Sequence, residues 1–147
     1  MSKQFRPEIK IHDVITSRGR QMTEADVRLL IACSGADHPL HTDPIFCKEK
    51  MHFDQPILQG AMMLGVVDGF FNDCIFTGDE VVLAYGYEKI RFIRTGLIND
   101  VVHAEFELAD RTMKGENELL TFNATVYNQN GEAIFFAVEK FCVMNEM

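Results

Sequence analysis

The segment 60–71, Gly-Ala-Met-Met-Leu-Gly-Val-Val-Asp-Gly-Phe-Phe, constrains the fold more than any other part of this chain. Asp68 is its only charged residue. A helix that is apolar nearly all round must be surrounded by protein. Gly65 and Gly69, four residues apart, either let a backbone or ligand come close or simply permit tight packing against a sheet. Met62, Met63 and Leu64 read as core.

What surrounds the helix follows it. From Glu80 onward the apolar period changes to two. Val102, Ala104, Phe106 and Leu108 alternate with His103, Glu105 and Glu107, the pattern of a half-buried strand. Leu120, Phe122, Ala124 and Val126 alternate with Thr121, Asn123, Thr125 and Tyr127. Asn130-Gly131 then predicts a hairpin turn into 133–143. That last segment is apolar on both faces for much of its length, as a strand near a sheet centre would be. Segments 81–87 and 89–94 read as two further strands. One long buried helix followed by four or five antiparallel strands predicts an α+β fold, with the sheet curled around the helix.

Ahead of the helix the signals are local caps. Thr23-Glu24-Ala25-Asp26 has the form of a capping box, Val27, Leu30 and Ile31 recur at helical spacing, and Ser34-Gly35 stops the helix. Asp43-Pro44 is an N-cap followed by proline at the first helical position, predicting a short helix to about Lys50. No linker, repeat or low-complexity tract divides the sequence, and 147 residues suit one domain, 1–147, with its own core.

The formal net charge of -8 argues against a nucleic-acid partner, although it leaves room for a local basic pocket. No run is long enough to span a membrane, and residues 1–6 lack a signal-peptide apolar core, so a cytoplasmic location and no membrane association are expected. Cys33, Cys47, Cys74 and Cys142 are widely spaced with no CxxC pair, the usage expected of reduced thiols.

Two stretches carry chemistry. Ser34-Gly35-Ala36-Asp37-His38-Pro39-Leu40-His41-Thr42-Asp43-Pro44 places a carboxylate and two imidazoles within five residues, equipment for positioning a water and moving its proton near neutral pH. Pro56-Ile57-Leu58-Gln59-Gly60-Ala61-Met62 opens the apolar helix on a glycine, leaving unpaired backbone N–H groups able to hold a carbonyl or developing oxyanion.

Together these stretches resemble the MaoC-like dehydratases, the (R)-specific enoyl-CoA hydratases, whose motif reads Ser/Thr-Gly-Asp-x-Asn-Pro-Leu-His-x-Asp and is followed by Pro-Ile-x-His-Gly-Met. His41 falls on the motif histidine, and Pro39, Leu40, Asp43 and Gly60 also match. Ala36 stands at the family's catalytic aspartate, His38 at its asparagine and Gln59 at its histidine. The resemblance implies a hot-dog fold, an antiparallel sheet wrapped around one long central helix, working as a homodimer or a higher homo-oligomer of dimers. It implies water addition to a trans-2-enoyl thioester, carried by CoA or an acyl-carrier protein, giving the 3-hydroxyacyl thioester, or the reverse. Catalysis falls to His41 and to Asp37, which takes the carboxylate's place if the loop shifts by one residue. His38, Gln59, Gly60 and Ala61 are the implied substrate-binding residues, and no metal or redox cofactor is required.

Each residue also has a plainer role. Asp37 suits a turn before proline, His41 and His38 suit ordinary loop positions, Asp43 suits a helix cap, and Gly60 suits a closely packed helix start. Gln59 either donates a hydrogen bond or braces the loop. Arg91 and Arg94 either meet CoA phosphates or form a solvated cationic face. A second class of function is an acyl-thioester binding module with weakened or lost hydratase activity. A third, thioester hydrolysis, would require a helix carboxylate, for which Asp68 is the candidate.

Overall fold

The computed structural model describes residues 9–76 and 78–145. Residues 1–8, on which the signal-peptide reading rests, lie outside that range. The elements run β1 (Val14–Thr16), β2 (Arg20–Gln21), α1 (Glu24–Ser34), a 3-10 turn (Pro39–His41), α2 (Pro44–Met51), α3 (Gly60–Cys74), β3 (Val81–Phe92), β4 (Val101–Lys114), β5 (Asn117–Tyr127) and β6 (Ala133–Met144). The strands pair antiparallel in the order β1-β4-β5-β6-β3, with β2 also on β4. This is the α+β hot-dog arrangement, a sheet curled on one long helix.

The cause is visible in α3. Met62, Met63, Val66, Val67, Phe70 and Phe71 turn inward as one stripe. The inward residues of the alternating strands meet them, among them Val102, Ala104, Phe106 and Leu108 of β4, all fully buried. Phe71 lies at the centre, its ring centroid 4.0 Å from Phe106, 4.6 Å from Phe141 and 5.2 Å from Phe122. Aromatic groups at such separations add specific contact energy to their area burial.

Three sequence expectations change. The helix is not enclosed within one chain, because Ala61, Gly65 and Gly69 are exposed. Segments 81–87 and 89–94 are one strand, β3, whose register against β6 shifts between Ala84 and Gly86 and again between Tyr87 and Lys89. These bulges interrupt the alternation without ending the ladder. Two short strands, β1 and β2, were not legible in the pattern, since three and two residues show no period.

Candidate active site

Five local devices in succession build the loop before α3. Thr23 and Asp26 form the capping box of α1, and Gly35 ends that helix at φ 73 with its N–H on the Ile31 carbonyl. The His38 imidazole accepts from the Leu40 N–H at 3.2 Å and starts the 3-10 turn. Asp43 accepts from the N–H groups of Ile45 and Phe46 at 2.9 and 3.1 Å, starting α2. His52, at φ 59, ends α2 and sends the chain back.

The returning segment 56–59 is held from both sides. Ile57 N–H donates to the Leu40 carbonyl and Leu58 N–H to the Gly96 carbonyl, both at 2.8 Å, while Ile98 N–H donates to the Pro56 carbonyl at 2.9 Å. His41 Nδ1 lies 2.8 Å from the Ile57 carbonyl oxygen. A carbonyl only accepts, so Nδ1 carries the proton and Nε2 of the neutral ring is left as an acceptor. One hydrogen bond therefore fixes both the tautomer and the ring direction.

Gln59 is the N-cap of α3 but makes no side-chain cap bond. Its amide turns to the preceding loop, where Nε2 donates to the Ala36 carbonyl at 3.4 Å. The first-turn N–H groups of Gly60 and Ala61 have no intrahelical acceptor, as at every helix start. Gly60 is the residue that allows this start to lie under Phe92: a Cβ there would stand 2.8 Å from Phe92 Cε1 and 2.9 Å from Cζ.

These groups open on one cleft of about 570 Å³, lined by His41, Gln59, Gly60 and Ala61 together with Phe92, Arg94, Thr95 and apolar side chains that include Leu58, Met63 and Ile134. That volume suits a small-molecule ligand. The cleft thus joins an imidazole acceptor, a helix start with free N–H groups and an apolar wall. A larger groove of about 800 Å³ runs along the other flank of α3. Its two guanidiniums are each taken by a carboxylate, Arg18 by Asp73 and Arg20 by Asp26, and of the two chemistry-bearing stretches it touches only Ala61 and Met62.

The structure brings together His41, Gln59, Gly60 and Ala61. It does not bring Asp37 or His38 with them. Asp37 is exposed and does not line the cleft. The left-handed Gly35 and the turn begun at His38 carry that part of the loop outward, so the expected meeting of Asp37 with His41 is not found in this geometry. His38 is an exposed turn cap that meets the Phe46 ring edge-on at 5.9 Å. Asp43 takes its capping role, and Arg94 lines the cleft while paired with Glu132 at 3.1 Å. Arg91 is exposed on β3. Phe92 is among the cleft residues that sequence reading missed, with Thr95 and Ile134. Its place at the end of a strand gave no signal, because the contact with Gly60 spans two elements. Among the described residues no group of three or more His, Cys, Asp or Glu side chains could hold a metal ion. No helix among them is long and apolar enough to cross a membrane.

A helix-wrapped sheet with this loop before the helix defines a hot-dog protein, and comparison with known sequences makes the assignment narrower. Residues 8–129 match the family model described as the MaoC like domain, and the chain belongs to that family. A curated relative, Protein MaoC of Klebsiella aerogenes, is 29% identical over 114 residues, covering 76% of this chain and 32% of its own length. The chain therefore spans about a third of that relative. The X-ray structure of the monoamine oxidase regulatory protein from Archaeoglobus fulgidus superposes with a TM-score of 0.83 at 25% identity, covering 97% of this chain and 95% of that one. The R-hydratase PhaJ1 from Pseudomonas aeruginosa shares the fold, with a TM-score of 0.75 at 19% identity over 95% of this chain and 84% of its own.

Proposed function

We propose that this single hot-dog domain is a hydro-lyase that interconverts a trans-2-enoyl thioester, carried by CoA or an acyl-carrier protein, and its (R)-3-hydroxyacyl thioester. The observation that carries the reading is the convergence on one cleft of a histidine fixed as an acceptor at Nε2 and a helix start with free amides. The family membership and the hydratase named among the fold relatives support it.

The chemistry follows from those groups. A water lone pair forms the new C–O bond at the β-carbon while the displaced π electrons move onto the thioester carbonyl oxygen. The N–H groups of Gly60 and Ala61 stabilise the resulting enolate. Nε2 of His41 takes the proton the water gives up and returns it to the α-carbon as the enolate collapses. Proton transfer of this kind contributes about 10²–10⁴-fold, and each oxyanion donor about 10²–10³-fold. Asp37 has no part in this scheme. The substrate's apolar acyl chain lies against Leu58, Met63 and Ile134, and the working unit is a homodimer.

The test follows loss of enoyl absorbance with crotonyl-CoA and longer or branched analogues. His41→Ala is expected to lower kcat by about 10²–10⁴-fold while the fold is kept, and Asp37→Ala to leave the rate within about twofold. Absence of turnover on any enoyl thioester would sink the proposal.

The second reading, an acyl-thioester binding module without turnover, is favoured by one observation. Among the described residues no carboxylate lines the cleft. Saturable thermal stabilisation by acyl-CoA without loss of the enoyl group would support it over the first.

A further inference from the structure

Gln59 is 4% exposed, and its Oε1 is buried with no hydrogen-bond partner among the described residues. The amide's orientation is fixed by its other end. Nε2 reaches the Ala36 carbonyl, which only accepts, so the oxygen is the end left over. An unsatisfied buried carbonyl is costly, and few exist without a reason. This one belongs to a side chain lining the same cleft as His41.

We infer that Gln59 Oε1 accepts a hydrogen bond from the reacting oxygen, that of the water or of the 3-hydroxyl it becomes. Gln59 thereby supplies the positioning contact of a second catalytic group without its proton chemistry. The inference rests on the hydro-lyase reading above and deepens it. Water placed in the cleft has two protons to direct. One goes to His41 Nε2 and is transferred, while the other is held by Gln59 Oε1 and stays. The tie to Ala36 keeps the amide from turning its N–H₂ toward that oxygen, where a donated hydrogen bond would occupy the lone pair that must attack the β-carbon.

A neutral amide neither gains nor loses a proton in the working pH range, so among the described residues lining the cleft His41 is the group left to act as the base. The charged and titratable neighbours do not compete. Arg94, facing the cleft from the segment after β3, is paired with Glu132. Glu24, facing the opposite side of His41 from α1, is paired with Arg28 at 3.2 Å. On the loop itself Asp43 is engaged as a helix cap, His38 as a turn cap, and Asp37 is exposed.

The experiment is the pH dependence of kcat/KM for crotonyl-CoA hydration in the unaltered chain and in Gln59→Leu and Gln59→Glu. The unaltered chain should rise with pH through a single ionisation to a plateau. Gln59→Leu should keep that shape while kcat falls about 10- to 100-fold, the size expected for one lost buried hydrogen bond. Gln59→Glu, which keeps the size and puts a carboxylate in the same place, should add a second ionisation to the profile. Thermal melts of both variants identify a folding failure; if Gln59→Leu fails to fold, the profile of Gln59→Glu decides. Two ionisations in the unaltered chain, or full kcat in Gln59→Leu, would overturn the inference while leaving the hydro-lyase reading intact. Absence of turnover in the unaltered chain would overturn both.

Discussion

At the scale of single residues, the contact that most narrowly limits this cleft lies between Gly60 and Phe92. Phe92 is 61% exposed and leans on Phe135 with ring centroids 5.9 Å apart, so its ring is held on one side only. A Cβ at position 60 would meet that ring well inside contact distance, and the ring rather than the backbone would have to move. Gly60→Ala is therefore expected to swing Phe92 and, because an exposed ring can yield, to destabilise the chain by no more than about 1 kcal/mol, the low end of the overpacking range. In a protein of this size that lowers Tm by roughly 2–4 °C per kcal/mol. In Gly60→Ala/Phe92→Ala the two effects should fail to add, because the second change removes the atoms the first one strikes. Additive melting shifts would show that the two side chains do not meet. Residues whose partners are close in sequence were legible beforehand: Asp43 caps the helix that begins at the next residue, and Thr23 pairs with Asp26. Gln59 was not, because its partner Ala36 lies 23 residues earlier and only the folded loop brings them together. Nor was the outward course of Asp37, which depends on Gly35 taking a left-handed conformation that the residue type allows but does not require.

Between elements, the least expected feature is an acid group where α3 crosses β6. Glu139 is 1% exposed and faces the helix among Phe135, Ala137 and Phe141, with only the Asp68 carboxyl and the Tyr87 hydroxyl near enough to share its polar contacts among the described residues. Asp68 on α3 and Tyr87, its register partner on β3, lie against it. Burial first, and the facing Asp68 carboxyl after it, push Glu139 up to about 8, so it is held as the neutral acid at pH 7. The unfolded chain ionises the same group near the ordinary carboxylate value of about 4.3. A raised native value means that the folded state binds the proton more tightly. The stabilisation is thus fully present below about pH 4.3 and is lost as pH rises through about 8. Denaturant midpoints should fall between pH 6 and 8.5, with a slope of at most about 1.4 kcal/mol per pH unit from this group. Glu139→Gln should remove that part of the slope. An unchanged slope in the variant would assign the pH dependence elsewhere. The sequence pattern hid this acid, since it sits in a strand that reads as apolar on both faces. It also hid the unity of β3, because bulges break an alternation that register on β6 maintains. The long helix and the two alternating strands, β4 and β5, were legible because burial against one another imposes their periods directly.

For the whole molecule, the governing fact is that the sheet has a long open edge. β3 pairs with β6 on one side, and among the described residues the strand order leaves its other side without a neighbour. Its exposed residues include Val81, Leu83, Tyr85, Tyr87 and Phe92. Twelve residues of open ladder carrying apolar side chains form a template that proteins normally cover, pair or blunt with charge. Pairing with a second copy satisfies the edge, and it would bring a second chain close to Phe92, the last residue of β3, at the cleft. The homodimer is thus argued from the exposed apolar residues along β3. Sedimentation at micromolar concentration should give the mass of two chains. Val81→Lys/Leu83→Lys places like charges along the edge while touching neither the core nor the cleft, and should give one chain with little change in secondary structure. If the cleft depends on the partner to close it, that monomer should also lose most hydration activity while its His41 and Gln59 remain unaltered. A variant that stays dimeric would assign the interface to another surface, and a fully active monomer would show that one copy completes the cleft alone.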